Sequence, residues 1–403
     1  RGDTGPMTTV VQTGQEKLFD QSFSLIQGKR VGLIVNPTSV SQDLEHLALR
    51  LKAHPGTELA AVFGPEHGMW GAEQDMIAVQ GETDPFLDVP IYSLYGDNVD
   101  SLRPPPGSLD GLDVLVFDIQ DVGSRYYTYI YTMMLAMEEA AKANVTFVTL
   151  ERPNPICGVA VEGNVIREGF SSFVGLHPLA NQHGMTAGEL AFFFKDERNI
   201  DVDLHVVTMD GWTRDMYFED AGIPWVMPSP NMPTVDTAIV YPGMCLLEGT
   251  NLSEGRGSTR PFELFGAPYL DGYTYAKALQ GENIPGAQFR PMWFRPTFQK
   301  HGGVLCGGAQ LHVTNRREFS SLHAGVAALV HARALAPEGF QWRIDAYEFV
   351  DTVPAIDLLF GEAQAREAIE NGATSREVLS LLTHGRNAFD EKRAQFLLYG
   401  GSS

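Results

Sequence analysis

Positive charge is scarce in this chain. Twenty-nine Lys and Arg stand against 50 Asp and Glu over 403 residues, a formal net charge of −21. That surplus repels phosphate backbones and anionic headgroups, and no basic run interrupts it, so no nucleic-acid partner is expected. Cysteine is scarcer still. Cys157, Cys245 and Cys306 form neither a C-x-x-C pair nor a disulfide framework and read as small core or loop residues. No apolar run approaches the roughly 18 residues of a membrane span, so membrane insertion is not expected. The first thirty residues lack the basic-then-apolar pattern of a signal peptide. A cytoplasmic location is therefore favoured, with a periplasmic or secreted one as the alternative if the N-terminus has been processed. The chain opens on Arg1, and Met7 is the candidate natural start.

Several catalytic signatures are missing too. No G-x-G-x-x-G follows a strand and there is no P-loop, so no nucleotide cofactor is expected, and Gly255-Arg256-Gly257 is only a fragment of such a loop. There is no G-x-S-x-G elbow for a serine hydrolase. Neither H-E-x-x-H nor paired cysteines point to zinc, and Asp118, Asp121, Glu66 and His67, which could hold a hard metal, have an unspecific spacing, so no metal cofactor is expected.

Glycine is abundant, at 41 residues against the roughly 28 expected from a usage of about 7%. With 24 prolines it divides the chain into short elements joined by ordered loops, where sites tend to sit. The length suggests two to three domains. Apolar runs at 31–35, 59–63, 91–95, 114–117, 146–150 and 204–208 read as strands. Helical patterns lie between them at 41–53, 130–141 and 186–196. Ile130, Met133, Met134, Met137 and Ala141 recur at helical spacing, which reads as core filling. This alternation predicts an α/β fold with a doubly wound parallel sheet over 7–225. A stretch rich in Pro, Gly and aromatics (226–300) reads as a loop-rich connection lining a cleft. Residues 301–403 read as a smaller α+β domain. It contains a strand at 309–314, a helix carrying Leu322, Val326 and Leu329, and a capping box, Thr374-x-x-Glu377.

In open parallel sheets, ligands bind beyond the carboxyl ends of the strands. Four predicted strands end there in polar clusters: Asn36 to Ser39, Glu66-His67, Asp118 to Tyr127, and Glu151 to Asn154. Carboxylates among arginines, amides and aromatics suit a sugar site, where one carboxylic acid protonates the leaving oxygen and a second often serves as base or nucleophile. Glu66, fixed just past an apolar strand by a Gly-Pro turn, is the acid candidate. Asp121 is its candidate partner, or alternatively caps the following helix. His67 and His183 sit in His-Gly-Met turns, as catalysts or as satisfied loop histidines. Arg125 either meets an anionic substituent or pairs with Asp118 or Asp121, and Arg152 either faces ligand or pairs with Glu151. Asn36, Gln120, Tyr126 and Asn154 complete the candidate binding set at the strand ends. In the middle region Glu248, Asn251, Arg256 and Arg260 stand among small residues that let a ligand approach the backbone closely.

Five segments carry a resemblance. They are Gly32-Leu-Ile-Val-Asn-Pro-Thr-Ser39, Phe63-Gly-Pro-Glu-His-Gly68, Asp118-Ile-Gln-Asp-Val-Gly-Ser-Arg-Tyr-Tyr-Thr-Tyr129, Glu151-Arg-Pro-Asn-Pro155 and Glu248-Gly-Thr-Asn-Leu-Ser-Glu-Gly-Arg-Gly257. In this order, over about residues 17–399, they resemble the bacterial exo-β-N-acetylmuramidase family. The resemblance implies a Rossmann-like domain and a smaller C-terminal domain with the active-site cleft between them, and no nucleotide cofactor. It implies hydrolytic release of N-acetylmuramic acid from the non-reducing end of peptidoglycan fragments, with an N-acetylmuramic acid–N-acetylglucosamine unit as substrate. It also implies Glu66 as the catalytic residue, with the Asp118-x-Gln-Asp121 and Glu248-Gly-Thr-Asn251 segments lining the cleft. Many relatives carry an export signal, whereas these first thirty residues show none. Two other readings remain open: a metal-dependent amidase or esterase acting on muropeptides, and a non-catalytic amino-sugar receptor. The oligomeric state is not legible.

Overall fold

Alternate residues of a strand face opposite sides of its sheet, and a sheet covered by helices on both sides needs strands that are apolar on both. The computed structural model describes residues 10–72 and 83–401; Met7 lies outside them. The strands of the first domain are β1 (Arg30–Val35), β2 (Glu58–Gly64), β3 (Thr83–Asp84), β4 (Val89–Ser93), β5 (Val114–Asp118), β6 (Thr146–Leu150), β7 (Glu162–Val165), β8 (Ala180–Gln182) and β9 (Leu204–Val207). They form a seven-stranded sheet, β3-β4-β2-β1-β5-β6-β9, parallel except for β3, with β7 and β8 a separate antiparallel pair.

Four helices, α1 (Gly14–Asp20), α2 (Leu47–Ala53), α3 (Tyr129–Ala143) and α4 (Ala187–Glu197), flank this sheet. Val31, Leu33 and Val35 join Leu18 of α1 and Leu51 of α2 in one core. Ile34 and Phe117 join Met133 and Met137 of α3 and Phe194 of α4 in the core on the opposite face. The methionine stripe is thus core filling. Strand order reverses between β1 and β5, which opens a crevice above their carboxyl ends. The helix expected from residue 41 begins only at Leu47, because Leu44 is left-handed (φ +65°) and the Ser41 amide closes a turn on the Glu45 carbonyl.

The second domain contains α5 (Val235–Met244), β10 (Leu264–Ala267), α6 (Gly272–Gln280), β11 (Ala287–Phe294), β12 (Cys306–Val313) and α7 (Ser321–Leu335). Four short helices follow: α8 (Ala355–Phe360), α9 (Gln364–Glu370), α10 (Ser375–Leu381) and α11 (Arg386–Ala394). The three strands are antiparallel in the order β10-β12-β11. Residues 226–300, expected as a loop-rich connection, therefore carry two helices and two strands. Their period is weak because β10 and β11 pair only through β12, which comes later in the chain. β12 also begins three residues before the expected strand. Gly307 and Gly308, expected to flank the strand, lie within it, where glycine is required because a Cβ on either would collide with the backbone of Leu270 or Phe265. The chain then returns to the first domain, where the Leu398 amide donates to Glu189 and the Tyr399 hydroxyl to Glu151. All three cysteines are buried free thiols. No helix among the described residues is long and apolar enough to cross a membrane.

Candidate active site

Glu66 follows β2 in a turn that the backbone has to force. His67 (φ +70°) and Gly68 (φ +79°) are both left-handed, a conformation that costs a non-glycine residue about 1 kcal/mol or more and concentrates at functional sites. The turn leaves Glu66 only 5% exposed, accepting from the Thr128 hydroxyl at 3.3 Å. Thr128 belongs to the run Tyr126–Tyr129, which leads from β5 into α3. The Tyr127 hydroxyl donates to Ser229 at 2.7 Å and that of Tyr129 to the Pro228 carbonyl at 2.7 Å, pinning the interdomain connection. Burial pushes the phenols of Tyr126, Tyr127, Tyr129 and Tyr241 well above their ordinary value, so all four stay protonated donors.

The opposite wall comes from the second domain. Glu248 sits in a 3-10 turn (Cys245–Gly249), takes an ion pair from Arg256 at 2.6 Å, and accepts from the Tyr347 hydroxyl. Arg256 also pairs with Glu254 at 2.9 Å and lies over the Phe262 ring. Burial alone would raise Glu254, but the charges of Lys300 and Arg256 hold it at about 2. Between the walls lies a narrow pocket of about 40 Å³ lined by Glu66, His67, Tyr126–Tyr129, Ser229, Asn231, Tyr241, Glu248, Arg256, Tyr347 and Glu348, among others.

Five candidates from the sequence thus meet in the cavity: Glu66, His67 and Tyr126 from the first domain face Glu248 and Arg256 from the second. The others do different work, mostly within the fold. Asp121 does not line the cavity. Its Oδ2 accepts from the Gly123 amide (3.1 Å) and from His183 (3.2 Å), so it shapes the turn before Tyr126. Because His183 Nδ1 accepts from the Met185 amide, its proton is on Nε2 and points to Asp121. Arg125 is fully buried, and its two amino groups donate to the carbonyls of Asn164, Leu179, Leu359 and Phe360. It therefore meets neither a substituent nor Asp118 or Asp121. Arg152 pairs bidentately with Asp118 (2.6 and 3.0 Å) rather than with Glu151, and Gln15 adds a third donor. This network, with Asn36 on Pro228 and Thr38, Gln120 on Pro153, and Asn154 on Met185, fills the crevice above β1 and β5. The open space is displaced toward the end of β2. Asn251 is tied to Tyr269 and Gly339 and borders a neighbouring cavity. Arg260 is half-exposed in a separate groove beside Glu263 and Asp236.

Sequence reasoning missed Tyr127, Thr128, Tyr129, Tyr241, Tyr347 and Glu348. The first three stood inside the motif around Tyr126, and aromatics beside a polar strand end were the available signal. Tyr347 and Glu348 had no local signal. Both are set by two left-handed residues, Glu348 (φ +46°) and Phe349 (φ +69°), which turn a loop into the cavity. Among the described residues, no group of three or more His, Cys, Asp or Glu side chains is disposed to hold a metal ion.

A buried carboxylate at the carboxyl edge of a parallel sheet, closed over by a second domain, is the arrangement of an α/β enzyme with an interdomain cleft. Residues 31–236 match the N-terminal domain, and residues 239–399 the C-terminal domain, of exo-beta-N-acetylmuramidase NamZ, so the chain belongs to that family. It is 43% identical over 389 residues to the peptidoglycan beta-N-acetylmuramidase NamZ of Bacillus subtilis (strain 168), spanning 96% of this chain and 91% of that one. Two crystal structures of DUF1343 family proteins from Bacteroides fragilis NCTC 9343 share the fold. One has a TM-score of 0.86 at 34% identity, covering 96% of this chain and 99% of that one. The other has a TM-score of 0.76 at 29% identity, covering 98% and 100%.

Proposed function

We propose that the chain is an exo-acting β-N-acetylmuramidase that hydrolyses the glycosidic bond of a non-reducing-end N-acetylmuramic acid, with N-acetylmuramic acid–N-acetylglucosamine as the minimal natural substrate. The observation that carries this reading is the pairing of two carboxylates in one cavity of a chain belonging to this family. Glu66 is buried at the cavity wall and accepts from the Thr128 hydroxyl, which places a carboxyl group where an acid catalyst is required. Glu248 is clamped by a guanidinium and a phenol, both donors, which fix its carboxyl group across the cavity.

In this reading Glu66 gives its proton to the leaving oxygen as the bond to the anomeric carbon breaks. Glu248 faces the positive charge that develops on the sugar ring. Its negative charge either helps water attack or steadies the substrate's own acetamido group as that attacks. The protonated tyrosines supply hydrogen bonds to the sugar hydroxyls and exclude bulk water. Replacing Glu66 by Gln keeps the shape and removes the proton, so turnover of a chromogenic muramide should fall by about 10²–10⁴-fold, with the melting temperature unchanged. Activity near wild type in that variant would remove Glu66 from the role.

A further inference from the structure

A second cavity adjoins the first. Its volume is about 380 Å³, and it shares with the first the side chains of Glu248 and Arg256, so that ion pair is the wall between the two. It opens between segments 250–256, 299–300 and 341–345, where Gln299, Gln341, Ile344 and Asp345 are exposed. An exo-acting enzyme needs an enclosed compartment for the terminal sugar and an open one through which the remaining chain leaves. These two cavities adjoin across the Glu248–Arg256 pair, and the second is the wider of the two. We infer that the second cavity is the leaving-group subsite, which takes a neutral N-acetylamino sugar against Trp342 and the carboxylate of the sugar beyond it at Arg343. This rests on the muramidase reading above.

The side chains fit that ligand. Trp342 is half-buried and fixed edge-on against Phe340, with ring centroids 4.9 Å apart, which offers a rigid aromatic surface for the apolar face of a pyranose. The side-chain amides of Gln299 and Gln341 have no protein partner among the described residues, which leaves both for sugar hydroxyls or an acetamido group. Arg343 lies over the Tyr347 ring at 4.9 Å and donates to the Ala346 carbonyl, and among the described residues no carboxylate pairs with it. In a chain of net charge −21, a cation at the cleft mouth without an acidic partner suits an anionic substituent. The backbone supports the same reading. Gln299 (φ +57°) and His301 (φ +56°) are both left-handed around Lys300. Lys300 in turn bonds Glu254 at 2.8 Å and the Leu247 carbonyl at 3.1 Å, so the loop bearing Gln299 is fastened to the turn that carries Glu248.

The test compares Trp342→Ala, Trp342→Phe and Arg343→Gln on four substrates. These are a chromogenic aryl muramide, the muramic acid–glucosamine disaccharide, the same disaccharide bearing a peptide, and the tetrasaccharide of two such units. Trp342→Ala should raise KM for both disaccharides about tenfold with kcat changed by less than about twofold, and Trp342→Phe should restore most of the loss. Arg343→Gln should affect the tetrasaccharide alone. Three results would overturn the subsite: a fall in kcat with KM unchanged, no loss on any substrate, or a loss confined to the peptide-bearing disaccharide. Wild-type protein that releases no sugar from any of the four would overturn the muramidase reading and this subsite with it.

Discussion

Arg256 is the cation closest to the proposed chemistry, yet it already holds Glu248 and Glu254. A guanidinium committed to two buried acids contributes little net attraction to a third anion. Arg256 instead holds the Glu248 carboxylate in place through that ion pair. Removing one partner of a buried pair leaves the other uncompensated, at a cost of about 3–5 kcal/mol. Arg256→Gln should therefore depress kcat by about 100-fold or more and lower thermal stability, and its effect should not be confined to KM. Arg260→Ala should leave both constants within about twofold, because its half-exposed pairs in another groove are worth little. Steady-state kinetics of the two variants on a muramide check this. The sequence offered Arg125, Arg256 and Arg260 as candidate substrate-binding residues. The structure brings only Arg256 to the cavity, and it is already neutralised there.

At the scale of elements, the end of β6 is joined to the start of α4. Glu151 accepts from the Thr186 hydroxyl (2.6 Å), the Gly188 amide in the first turn of α4 (2.6 Å) and the Tyr399 hydroxyl (2.8 Å). Burial, aided by neighbouring Glu189, still raises its carboxyl to about 7. A folded acid with a raised pKa binds a proton that the unfolded chain has released. This group's contribution to stability is therefore full below about 4.5 and is lost as pH rises through about 7. At about 1.4 kcal/mol for each pH unit between those two values, the loss is of order 3 kcal/mol. Glu151→Gln should flatten the decline in melting temperature between about pH 5 and pH 8; an unchanged decline would place the titration elsewhere. The same elements show what was legible. Buried parallel strands are nearly continuous apolar runs, so β1, β2, β5, β6 and β9 could be read to within a residue or so, and the Thr374–Glu377 capping box marks α10 as expected. Polar residues at the strand ends were also legible, but their roles were not. Asp118, Arg152, Asn36 and Asn154 satisfy one another or the backbone, whereas Glu66 lines the cavity, and a sequence does not record which polar group is used up within the fold. β10, β11 and the Tyr347 loop depend on partners distant in the chain and left no local period.

For the whole molecule, the cavity exists only because two domains are held together, and Arg125 is one of the ties. It links the segment before α3 to the carbonyls of Leu359 and Phe360 in α8. Arg125→Ala would leave four buried carbonyls without their donor and should cost about 3 kcal/mol or more, read as a lower denaturation midpoint. Arg125→Lys, which keeps the charge but not the planar fork, should recover part of that loss. The acidic surplus surrounds a cleft whose own charges are nearly all paired, which suits a substrate that is mostly neutral sugar with isolated carboxylates. Muramidase action is tested most directly by mass analysis of the products formed from a muramic acid–glucosamine disaccharide, with and without its peptide. The expected products are free N-acetylmuramic acid and N-acetylglucosamine, with one water added across the glycosidic bond and any peptide still attached to the muramic acid. Released peptide with the disaccharide intact, or substrate recovered unchanged, would contradict it.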